Sequence, residues 1–217
     1  MINDDATVFV YKLVADNGGA PCVYDGKLSL CICKPRIRVS AKVNDWIIGF
    51  GGKSVHDLKN KLIYIAKVTE RIEGKVYYSE SEYIKRPDCI YKWGGKDFSF
   101  KTNEALFHDE DSLEHDLGAA PLYDRAICLI SDEFVYLGDK DVSEYSDLFN
   151  KIQAFYDSLP RDYLKNIDES TRTDLIEFIE TVKERFPYGK HGEPNHKNNQ
   201  KQCDQIEDEL VEIKKCH

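Results

Sequence analysis

Cys33, Lys34, Arg36 and Arg38 set a thiol beside three cations spaced two residues apart. Lys53 follows the pair Gly51-Gly52, and the indole of Trp46 lies between the two groups. Cations around a glycine turn suit an anion, most naturally a phosphate, and an indole offers a flat face to a base. A cation next to a thiol favours the thiolate, so Cys33 could act as a nucleophile. Asp16 and Asp45, each at a strand end, could read the amino edge of a base. A second cluster comprises His108, Asp109, Glu110, Asp111, Glu114, His115 and Asp116. Here His108 and Asp116 are the proton-moving candidates, while no metal-ligand spacing such as HExxH occurs, so no metal site is expected. Each feature also has a plain reading: glycine pairs make turns, a lone Trp fills a core, and alternating cations can line a solvated strand face.

These groups need elements to hold them. Residues 7–15 are β-branched and aromatic, which predicts a buried strand broken by Asn17-Gly18-Gly19 and Pro21. Residues 27–33 predict a strand with Leu28, Leu30 and Ile32 on one face and Ser29, Cys31 and Cys33 on the other. Asn44-Asp45 turns into a strand from Trp46 to Phe50, residues 61–71 form one long strand, and residues 90–93 a short one. Tyr77, Tyr78 and Tyr83 precede an extended segment at Lys85-Arg86-Pro87. Residues 125–130 and 134–137 are expected to pair as a hairpin. Helical spacing begins with Leu148, Ile152, Phe155 and Leu159, stops at Pro160, and resumes from Asp168 through Leu175, Ile179, Val182 and Phe186. Residues 188–202 are polar enough to predict a mobile linker, and residues 204–215 a charged terminal helix able to dock a partner or a second copy.

The net charge of −9 disfavours loose binding to DNA or anionic lipid. Its distribution is uneven: residues 27–101 carry 16 Lys/Arg against 8 Asp/Glu, and residues 102–217 carry 13 against 27. A local anion site is therefore compatible with the overall sign. Seven cysteines without a CxxC pair suit a reducing compartment. With no membrane-spanning window and no secretory signal, the expected location is cytoplasmic, and nothing specifies a cofactor.

Several signatures coincide: Asp16-x-Gly18-Gly19-Ala20-Pro21, Cys33-Lys34-Pro35-x-Ile37-Arg38-x-x-Ala41, Asn44-Asp45-Trp46-Ile47-Ile48-Gly49, Lys85-Arg86-Pro87 and Leu129-Ile130-Ser131-x-x-Phe134-x-Tyr136-x-Gly138. Together they resemble the nucleotide modification-associated domain family, second type, of bacteria and their phages, over roughly residues 8–140. The resemblance implies a place in systems that make or handle hypermodified DNA bases, including phage defence, with functional weight on Asp16, Cys33, Lys34, Arg38, Asp45, Trp46 and His108. By fold-level analogy, the strands after Asp45 also resemble the base-recognising barrels of the PUA, ASCH and EVE group.

The expected fold is α+β: a mixed, mostly antiparallel sheet curling into a partly open PUA-like barrel over residues 1–140, a helical pair over 141–187, and a linker with a terminal helix over 188–217. The expected function is recognition of a nucleotide or modified nucleic-acid base, with Lys34, Arg38 and Lys53 on phosphate, Trp46 stacking, and Asp16 or Asp45 reading the base. Two alternatives stand beside it. One is an enzyme of nucleotide or DNA base modification using Cys33 with His108 or Asp116, and the other is a non-catalytic interaction subunit.

Overall fold

The computed structural model describes residues 2, 5–52, 61–101, 112–141, 146–159, 163–165 and 167–195. In chain order the elements are β1 (Val8–Leu13), β2 (Cys22–Tyr24), β3 (Lys27–Leu30), α1 (Pro35–Ser40), β4 (Trp46–Gly51), β5 (Leu62–Lys67), β6 (Glu70–Glu73), α2 (Gly74–Tyr77) and β7 (Tyr91–Trp93). There follow β8 (Phe98–Phe100), α3 (Ser112–Leu117), β9 (Ile127–Ser131), β10 (Glu133–Tyr136), α4 (Ser146–Ser158), β11 (Tyr163–Leu164), α5 (Glu169–Arg185) and β12 (Gly189–Lys190). The fold is α+β.

A six-stranded mixed sheet runs in the order β11-β1-β4-β5-β10-β12, with β1 parallel to β4 and β10 parallel to β12. An antiparallel sheet, β2-β3-β9-β6, lies against it, and β7 and β8 form a separate hairpin. Among the described residues neither sheet closes into a barrel.

Alternation along the strands divides the apolar residues between layers. Val8, Val10, Trp46, Ile48 and Phe50 share a core with Ile152 and Tyr156 of α4 and Leu175, Ile179 and Val182 of α5. Phe9, Tyr11, Leu13 and Ile47 turn the other way, onto Leu28, Leu30 and Leu129 of the second sheet and Ile37 of α1. A third core, rich in tyrosine, joins Cys31, Cys128 and Ile130 to Tyr77, Tyr78, Tyr91 and Leu117. At Gly49/Phe50 the register between β4 and β5 shifts, which leaves Leu62 and Ile65 on the helical side and Ile63 and Tyr64 on the other. Gly49 is required there, because a Cβ would run into the Tyr64 ring and the Leu13 side chain.

Several local expectations are corrected. The run read as one strand over residues 61–71 is two, β5 in one sheet and β6 in the other. The expected hairpin of residues 125–137 is likewise split, since β9 pairs with β3 and β6 while β10 pairs with β5. Both are corners where the chain switches sheets, and such corners look like continuous strands because their residues are buried on both faces. The strand beginning at Lys27 ends at Leu30, and the alternating cations lie on helix α1. Pro35 at the first helical turn is the local reason, since its fixed φ suits that position. Residues 188–195, read as linker, supply β12 and a turn hydrogen-bonded to β10 and the residues after it. The segments carrying Lys53, His108 and the terminal helix lie outside the described residues.

The helix over α5 starts where the sequence places it. Asp168 caps it, its carboxylate accepting the Thr171 amide at 3.0 Å. No helix among the described residues is long and apolar enough to cross a membrane.

Candidate functional site

The sharpest backbone feature lies between β3 and α1. Cys33 and Lys34 both have positive φ, 53° and 43°, a conformation that costs free energy in non-glycine residues and persists only where the surroundings hold it. Asp116 holds it from one side, its Oδ1 accepting the Cys33 amide at 2.7 Å while Oδ2 accepts the Tyr91 hydroxyl at 2.9 Å. Arg38 holds it from the other. Nε of Arg38 donates to the Cys33 carbonyl at 2.7 Å, Nη1 to the carbonyls of Arg125 and Ile127, and Nη2 to the carbonyl of Asp116 at 2.6 Å. Arg38 and the Asp116 carboxylate, both 0 % exposed, also form an ion pair at 3.7 Å. One guanidinium thus fastens α1, α3, the approach to β9 and the turn at Cys33.

On the face of the large sheet that meets the second sheet, three tyrosines converge. The hydroxyls of Tyr11 and Tyr64 are hydrogen-bonded at 3.0 Å, and the Tyr136 hydroxyl donates to both oxygens of Asp16, at 2.8 and 2.9 Å. Asp16 is buried, so desolvation pushes its pKa up to about 7, against the opposing pull of the Tyr136 hydroxyl, the Asn195 amide and Lys190. Burial likewise raises Tyr11, Tyr64 and Tyr136, to which the Asp16 charge adds. Lys34 reaches over this group, its Nζ 5.5 Å from the centre of the Tyr11 ring. Cys33, 7 % exposed, also bears electrostatically on Tyr11 and Tyr91. The network therefore runs from Asp16 through the tyrosines to Cys33 and on to Asp116.

A strap of residues 189–195 covers Asp16. It is held by the His191 amide on the Tyr136 carbonyl at 2.8 Å, by the Asp139 amide on the Glu193 carbonyl at 2.8 Å, and by the Glu193 amide on the Asp139 carboxylate at 2.6 Å. Gly18, at φ 84°, fits beneath Pro194, where a Cβ would approach the proline ring to 3.0 Å.

Of the residues singled out from the sequence, Asp16, Cys33, Lys34 and Asp116 come together here. Arg38 adjoins them, with its guanidinium engaged by main-chain carbonyls in the interior. Trp46 stands apart, 2 % exposed in the core under α4 and α5, so its ring has no open face for a base. Asp45 is also apart and holds the β4 entry, accepting the amides of Thr7 and Lys42 at 2.8 Å each. Asp45→Ala should strand both amides and lower stability by about 1–3 kcal/mol, read as a fall in urea midpoint at constant slope. His108 and Lys53 lie outside the described residues. Sequence reasoning missed Tyr11, Tyr64, Tyr91 and Tyr136 as site residues, although a hydroxyl in an otherwise apolar strand is a signal of a buried polar contact. Among the described residues no group of His, Cys, Asp and Glu could hold a metal ion, and the five described cysteines are all reduced.

The family described as nucleotide modification associated domain 2 matches residues 5–201 of this chain. No curated protein and no solved structure matches it.

Proposed function

The chain belongs to the nucleotide modification associated domain 2 family, and from that premise we propose that it recognises a nucleotide or a modified nucleic-acid base at the network joining Asp16 to Cys33. The observation that carries this reading is Asp16: a buried carboxyl with its pKa pushed up to about 7, beneath a strap held largely by main-chain hydrogen bonds. Lifted, the strap would open the carboxylate to the amino edge of a base, with Lys34 as the cation for a phosphate. Trp46 has no part in this version, and neither does the Arg38 guanidinium. The test is titration with a panel of free mononucleotides, backed by mass spectrometry of whatever small molecule heat releases from the purified protein. Saturable binding that weakens at least tenfold in Asp16→Asn supports the reading, and binding indifferent to that substitution removes it.

A second reading, base or nucleotide modification with Cys33 as nucleophile, is favoured by the left-handed turn at Cys33 and its anchoring by Asp116. Both oxygens of Asp116 accept hydrogen bonds from the frame, which suits a positioning residue better than a proton carrier. Cys33→Ser separates the readings. Recognition alone predicts nucleotide affinity within about twofold of the parent and no turnover to lose, whereas catalysis predicts retained affinity with turnover reduced by orders of magnitude.

A further inference from the structure

We infer that the target is a base within a single-stranded polynucleotide, and that the tip of the β7–β8 hairpin is where the flanking strand lies. The inference rests on the recognition proposed above and adds the form in which the base is presented. β7 leads outward from the site: Tyr91 donates to Asp116, and Trp93, two residues on and so on the same face, is half-buried at the periphery. Trp93 packs on Phe98 with centroids 4.7 Å apart and on Tyr123 at 6.2 Å, which fixes its ring. Lys75 Nζ stands 5.0 Å from the centre of the same ring. Lys96 is exposed in the hairpin turn, and Lys92 is exposed on the opposite face of β7. Asp97, the acid of that turn, accepts the Tyr123 hydroxyl at 3.3 Å. Beside Tyr123, Leu122 is 80 % exposed. A fixed, partly open indole rimmed by flexible cations and an apolar edge matches what an unpaired strand offers, stacking faces between phosphates. A folded duplex would present no free base face to the ring.

The chain has two tryptophans, and Trp46 is sealed in the core, so quenching of indole emission reports on Trp93. The probe is a mixed-sequence oligodeoxynucleotide of about 12 residues, enough to cover one binding surface of this size. Expected are quenching on titration, affinity for the oligonucleotide at least tenfold above that for a mononucleotide, and a slope of log K against log salt near −2, as for about three phosphates on a single strand. Trp93→Phe, which preserves the packing on Phe98 and Tyr123, should abolish the quench. The exposed-site variant Lys75→Ala/Lys92→Ala/Lys96→Ala should lose at least tenfold in affinity and flatten the slope. Mononucleotide binding that depends on Asp16, with no gain from the longer strand, would overturn this inference and leave the recognition proposal standing. An oligonucleotide bound equally well by the triple variant would also overturn it, as would capture of a protein partner on Trp93 and Leu122 with no DNA binding. Failure of both ligands to bind would end both proposals.

Discussion

Arg38→Met is expected to lower stability by about 3–5 kcal/mol, the range for breaking a buried charge pair from one side. The side chain donates to four carbonyls and faces Asp116 at 3.7 Å, all in the interior. Methionine fills much of the volume and supplies none of the donors, so four acceptors and an anion are left without compensation. Lysine restores the charge, but three donors on one nitrogen cannot span carbonyls of α1's entry, α3 and β9 together, so Arg38→Lys should recover only part of the loss. The measurement is urea unfolding of the parent and both variants, with near-ultraviolet circular dichroism to follow the tyrosine-rich third core. For a domain whose total stability is typically 5–15 kcal/mol, Arg38→Met should unfold at a much lower midpoint or fail to accumulate. A shift of less than 1 kcal/mol would show that water replaces the guanidinium, and the description of Arg38 as the fastening of this site would be wrong.

Asp16→Asn should change the pH dependence of stability and of binding in opposite senses. The folded carboxyl holds its proton up to a pKa of about 7, whereas an unfolded Asp releases it near 4. Between these values the folded state binds more protons than the unfolded state, so stability falls as pH rises through the window and levels off above about 7. The slope is at most about 1.4 kcal/mol per pH unit, and the whole effect is bounded by roughly 4 kcal/mol. Asparagine cannot ionise, yet its oxygen still accepts from Tyr136 and the Asn195 amide. The variant should therefore gain on the parent between pH 5 and pH 8, as compared by urea midpoints at the two pH values. Parallel curves would mean that Asp16 titrates normally. Binding of a base through its amino group requires the ionised carboxylate as acceptor, so nucleotide affinity should rise by up to tenfold per unit between pH 6 and 7 and then flatten. In the variant it should be weak and independent of pH.

How much of this was legible beforehand can be judged from particular residues. Local rules placed β1, β4, α4 and α5, because each is long enough for its period of two or 3.6 to dominate, and because Asn44, Pro160 and Asp168 punctuate them with known stereochemistry. The same rules ran β5 into β6, and β9 towards β10 as a hairpin. A residue buried between two sheets has no polar face to mark where one sheet ends, and only the pairing partners distinguish a corner from a continuous strand.

The residue types of the site were likewise written in the chain, which determined by itself that Asp16, Cys33, Lys34 and Asp116 were available for chemistry and that the family signature ran through them. What only the tertiary structure decided was which of them meet. Arg38 and Trp46 carry the right groups for phosphate and base, yet a helical turn after Pro35 swings one into the protein, and strand alternation sends the other beneath α4 and α5. The tyrosines that surround Asp16 come from β1, β5 and β10, so far apart in sequence that their convergence depends on sheet order alone. The physical reason is that side-chain direction is set locally, by φ and by the strand period, whereas proximity and burial, and with them the pKa of Asp16, are properties of packed layers.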